Sequence, residues 1–167
     1  FADYFSNYVN DDTITYIGNG DITSFTVSRQ DRELAVGLNL ESFVDYGIVE
    51  NSQNQIARAM ELKKVHINPR FPKSEFSLDN IERILEYVRH ESPAANGFFD
   101  GCEAELEDRT LTLCLKKGGK DVLESQKVDR AIANKIYELF DLDFVVIFLE
   151  VQAFDIEKAV QKAVEER

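Results

Sequence analysis

The chain has 167 residues, 44% apolar and 30% charged, which excludes collagen-like, disulfide-scaffold and disordered classes and leaves ample material for a core. Nineteen Lys and Arg stand against 31 Asp and Glu, a formal net charge of -12, so the summed field repels phosphate backbones and anionic membranes outside any local basic patch. The two cysteines lack the dense spacing of secreted mini-proteins, and no window reaches the ~18 apolar residues of a membrane span, which together point to free thiols and a cytoplasmic location.

The chain opens on Phe1 rather than Met and carries no leader-like basic and apolar run, so a fragment of a longer polypeptide is expected. Phe1, Tyr4, Phe5, Tyr8 and Val9 recur at helical spacing and predict a short amphipathic helix ending by Asn10. A turn-rich stretch through Gly18, Asn19 and Gly20 follows. Ile22 to Ser28 and Glu33 to Leu40 alternate across the polar break Arg29 to Arg32 and predict a hairpin, with Phe25, Val27, Leu34, Val36 and Leu38 on one face. Two helical pieces, Glu41 to Ile48 and Asn51 to Met60, lead to a strand from Leu62 to Ile67, which Asn68-Pro69 and Phe71-Pro72 close.

The order then runs again. Ser77 is the expected cap of a helix carrying Leu78, Ile81, Ile84, Leu85 and Val88 and ending near His90. In a second hairpin, turning at Asp108-Arg109, Cys102, Ala104 and Leu106 face Leu115, Leu113 and Leu111, with Glu103, Glu105, Glu107, Thr110, Thr112 and Cys114 outside. Lys120 to Leu123 reads as a helical turn, Lys127 to Phe140 as a helix, Phe144 to Val151 as a near-continuous apolar strand, and Asp155 to Glu166 as a last amphipathic helix. The expected architecture is therefore α+β: two tandem αββααβ units over residues 1–72 and 73–154, and a helical tail over 155–167. Asp31-Arg32-Glu33-Leu34 and Asp108-Arg109-Thr110-Leu111 occupy equivalent hairpin positions 77 residues apart. An internal duplication explains this, as does the commonness of hairpins among small α+β units.

No pattern of catalytic residues emerges. His66 lies on a strand and His90 in the last turn of a helix, where a cation suits the macrodipole. Cys102 and Cys114 fall on opposite faces of the hairpin and do not form a disulfide in that register. Glu103, Glu105 and Glu107 point one way but spread over about 13 Å, too far apart to converge on one ion, and Gly118-Gly119 lacks the remainder of a phosphate loop. No metal or other cofactor is expected. Candidate partner-binding residues are the loop aromatics Phe98 and Phe99 and a basic stretch of Arg58, Lys63, Lys64, Arg70 and Lys73.

The stretch Leu62-Lys63-Lys64-Val65-His66-Ile67-Asn68-Pro69-Arg70-Phe71-Pro72, the helix after it, and Gly97-Phe98-Phe99-Asp100 through Leu113 resemble a known family. Lys116-Lys117-Gly118-Gly119, Val128-Asp129 and the Phe140 to Phe148 segment continue the similarity. Together they look like the N-terminal region of PolC-type DNA polymerase III alpha subunits of Gram-positive type bacteria. The resemblance rests on packing and turn patterns and covers the chain from the first hairpin to the closing helix. It implies a non-catalytic region preceding the exonuclease and polymerase parts, serving replisome assembly, with the clamp-loader tau subunit as partner. The order αββααβ is also that of type II KH-like folds, although no Gly-X-X-Gly clamp for a nucleic-acid backbone is present. A single-stranded nucleic-acid module using the Arg58 to Lys73 patch is the alternative; the net acidity opposes it. Residues 1–75 carry 7 bases and 11 acids and residues 76–167 carry 12 and 20, so the acidity lies mostly on the second unit.

Overall fold

A computed structural model describes residues 1–150; the helical tail expected over 155–167 and the end of the preceding strand lie outside the described residues. The protein is α+β and divides into two compact units. The first comprises Phe1–Ser77 with Ile136–Leu142, and the second Leu78–Lys135 with the chain from Asp143 onward.

The first unit contains α1 (Ala2–Phe5), α2 (Asp11–Ile17), β1 (Asp21–Ser28), β2 (Glu33–Asn39), α3 (Tyr46–Ala59) and β3 (Lys64–Arg70). Its sheet runs β1-β2-β3, antiparallel between β1 and β2 and parallel between β2 and β3. The hairpin has the expected register, Phe25 opposite Val36, Val27 opposite Leu34 and Ser28 opposite Glu33, with a bulge between Ile22 and Ser24. Leu34, Val36 and Leu38 of β2 and Val65 and Ile67 of β3 are buried together with Val49 and Ile56 of α3 and Ile17 of α2. Each such side chain contributes about 1.5–3 kcal/mol when fully removed from water.

Four expectations for this unit need correction. The opening helix is shorter than its stripe, because Phe1 and Phe5 turn inward while Tyr4 and Tyr8 face solvent. The turn-rich stretch instead folds as α2. Asn10 caps it, its Oδ1 accepting from the Thr13 N–H at 3.0 Å, and Asp11 and Asp12 sit in the favourable first turn. Thr13, Ile14, Thr15 and Ile17 are poor helix formers that disguised the element; contacts with α3 hold it, where Thr13 Oγ1 and the Asn10 N–H both donate to Gln55 Oε1. In place of two helical pieces after the hairpin there is one helix, α3, which starts only at Tyr46, so Glu41 to Asp45 is not helical. Ser52 is accommodated inside the helix because its Oγ donates to the Ile48 carbonyl at 2.7 Å. The order is thus ααββαβ rather than αββααβ. β3 also continues through Asn68-Pro69, since an edge strand tolerates proline where no ladder N–H is needed.

The second unit contains α4 (Ile81–Glu91), β4 (Glu103–Glu107), β5 (Thr110–Leu115), α5 (Lys120–Ser125), α6 (Val128–Phe140) and β6 (Val145–Glu150), the expected αββααβ. Its sheet, β4-β5-β6, repeats the antiparallel hairpin plus parallel third strand of the first. Ala104 pairs with Leu113 and Leu106 with Leu111, around a two-residue turn in which Asp108 takes a left-handed φ of 53°. Leu111, Leu113, Leu115, Val146 and Phe148 form the buried sheet face, covered by Ile84, Leu85 and Val88 of α4, Leu123 of α5 and Val128 and Ile132 of α6. The last turn of α6 belongs to the first unit, where Phe140 stacks on Phe43 at 5.8 Å and the Phe71 N–H donates to the Leu139 carbonyl at 2.6 Å. No described helix is long and apolar enough to cross a membrane.

Candidate interaction surface

Strand pairing in the second unit sets its outer sheet face in three lanes. Successive rows across β4, β5 and β6 read Glu103, Cys114, Leu149; Glu105, Thr112, Ile147; and Glu107, Thr110, Val145. An acidic lane therefore lies about 10 Å from an aliphatic one, two strand spacings away. Val145, Ile147 and Leu149 are 61, 41 and 48% exposed, whereas Val146 and Phe148 between them are buried. Aliphatic side chains held this open on a rigid sheet are a surface that gains by being covered. The acidic lane is lightly compensated, with Lys116 Nζ at 3.3 Å from Glu103 Oε1 in an exposed pair worth at most about 1 kcal/mol.

Beyond the end of this face the chain is fixed by short polar links. Glu150 Oε1 accepts from the Lys120 N–H at 2.7 Å, closing the start of α5. Gly119 precedes it with a φ of 94°, and the Phe98 ring lies so near that a side chain at position 119 has no room. Lys117 Nζ reaches Asp100 Oδ2 at 3.1 Å.

The expected site residues do not form one constellation. Phe99 is buried, its ring 6.0 Å from that of Phe148, and Phe98 is half-buried over Gly119. The basic residues are all exposed and form a stripe: Arg58 in the last turn of α3, Lys63 and Lys64 at the start of β3, and Arg70 and Lys73 at and beyond its end. Lys64, His66, Asn68 and Arg70 share the outer face of β3, with about 20 Å between the ends of that lane. Lys73 Nζ lies 3.9 Å from Asp141 Oδ2, both largely exposed.

Cys102 and Cys114 are both free thiols. Burial pushes the Cys102 thiol up to about 11, helped by the neighbouring Cys114, Glu103 and Glu82 and opposed by Lys116. Cys102 is therefore protonated at neutral pH, the opposite of an activated nucleophile. Among the described residues no group of three or more His, Cys, Asp or Glu side chains is placed to hold a metal ion.

The aliphatic lane escaped the sequence reading, because Val145-Val146-Ile147-Phe148-Leu149 has no polar alternation and reads as a strand covered on both faces. Only its edge position, with burial alternating residue by residue, reveals the open side. No protein-family model matches the chain, and no curated protein sequence matches it.

Proposed function

We propose that the chain is a non-catalytic protein-interaction region serving replisome assembly, the N-terminal region of a PolC-type DNA polymerase III alpha subunit that it resembles, acting in the cytoplasm on the clamp-loader tau subunit. The observation that carries the interaction reading is the outer face of β4, β5 and β6, where exposed Val145, Ile147 and Leu149 lie beside Glu103, Glu105 and Glu107. Such a face suits a segment with an aliphatic stripe and a basic flank, and its acidity suits few other macromolecules.

Calorimetric titration of the chain with the tau subunit tests this. Saturable binding that Ile147→Lys with Leu149→Lys weakens by at least ~tenfold is expected, with the fold unchanged because both side chains are exposed. Flat titrations, or binding indifferent to those substitutions, overturn the partner or the surface respectively.

The exposed lane of Lys64, His66, Asn68 and Arg70, extended by Arg58, Lys63 and Lys73, supports a second reading as a single-stranded nucleic-acid binder. That reading requires oligonucleotide binding that falls steeply with salt and weakens in Lys63→Glu and Lys64→Glu; no binding at low salt removes it.

A further inference from the structure

Among the described residues of the first unit, β1 is the sheet edge without a guard. Unpaired strand edges are usually protected by charge or proline. β3 carries Lys64, Pro69 and Arg70, and β4 carries Glu103, Glu105 and Glu107. Among the described residues β1 pairs only with β2, and from Ile22 to Ser28 it contains neither a charged residue nor a proline. Phe25 and Val27 stand on the same side as buried Val36 and Leu34 opposite them, yet remain 47 and 60% exposed.

We propose that two copies of this chain associate by antiparallel pairing of their β1 strands, with Thr26 on the two-fold axis, to give one continuous six-stranded sheet. The bulge lies between Ile22 and Ser24, so Ser24 to Ser28 is regular and available. With Thr26 facing Thr26, Phe25 of each copy lies opposite Val27 of the other, an aromatic and β-branched pair made twice. Ser24 lies opposite Ser28 on the other face. The arrangement is isologous and closes at two copies.

Charge selects this register. A groove of about 370 Å³ runs between α1 and the first half of β1, lined by Asp3, Tyr4, Asp21, Thr23 and Phe25 among others. Beyond the paired segment, the turn residue Arg29 of the second copy is carried toward Thr23 at the bulge, near the mouth of that groove. Among the described residues no ion pair engages Asp3, Asp21 or Arg29, so the Arg29 of each copy complements the Asp3 and Asp21 carboxylates of the other. For a chain of net charge -12, association needs an uncharged seam with opposite charges at its ends, and β1 supplies both.

Sedimentation equilibrium of the full chain tests the proposal. At ~100 μM chain a mass of twice the 19.1 kDa monomer is expected, as for a small interface. Thr26→Lys sets two ammonium groups face to face and should raise the dimer dissociation constant at least ~tenfold, while Thr26 is exposed and its circular dichroism and melting should stay unchanged. Arg29→Glu, in the turn, should weaken the dimer ~threefold or more, and adding Asp21→Arg should restore it. A monomer at every concentration overturns the proposal. So does a dimer unaffected by Thr26→Lys, or masses that climb past two copies.

Discussion

Phe98 and Phe99 are adjacent in sequence and differ in what they touch, which fixes what each can do. Phe99 is 1% exposed and packs on Phe148, so Phe99→Ala should cost about 3–5 kcal/mol in denaturant unfolding, by lost burial and the cavity left behind. A cost below about 1 kcal/mol would mean that the ring is not in the core. The Cys102 thiol gives a second measurement at this scale. With its folded value near 11 against an ordinary 9.0, its alkylation by iodoacetamide should climb about tenfold per pH unit from neutrality and level off only near pH 11. Folding holds the neutral thiol, so its contribution to stability is complete below pH 9.0 and is lost as pH rises toward 11. A plateau in the alkylation rate near pH 9 would contradict the burial.

Among the elements, α2 depends most on one residue. Asn10 satisfies an otherwise orphaned N–H at its start, so Asn10→Ala should destabilise the first unit by about 1 kcal/mol while Asn10→Asp should be close to neutral. Equal losses in both variants would mean that acceptance by the side-chain oxygen is not what the Asn10 side chain contributes. The start of α5 makes the complementary case from the backbone. Gly119 combines a φ of 94° with the Phe98 ring at its open side, so Gly119→Ala should cost more than the ~1 kcal/mol of a strained turn alone, and pairing it with Phe98→Ala should recover part of the loss. Thermal melts of the single and double variants decide this.

At the scale of the molecule, two units share one sheet topology but carry different outer faces. In the first the outer lane of β3 is basic and polar; in the second β4 is acidic and β6 aliphatic. Reversing Glu103, Glu105 and Glu107 to Lys together should leave folding intact and remove binding of a basic partner by at least ~tenfold, since exposed strand charges alter association more than stability. The hairpins were legible in the sequence down to register, because alternation of Val36, Leu34, Leu111 and Leu113 with polar neighbours allows one buried face, and a slip by one residue would expose it. The α+β class and the helices α4 and α6 followed from apolar spacing in the same way. Position within a sheet did not follow, because whether a strand is central or at an edge depends on which distant strand pairs with it. That choice leaves Phe25 and Val27 open on β1, although they alternate with polar residues as buried Leu34 and Val36 do in part, and Val145, Ile147 and Leu149 open on β6, although that strand is as apolar as a core strand. Local periodicity thus determined which faces this chain must bury, and tertiary pairing alone decided which apolar side chains remain available to a partner.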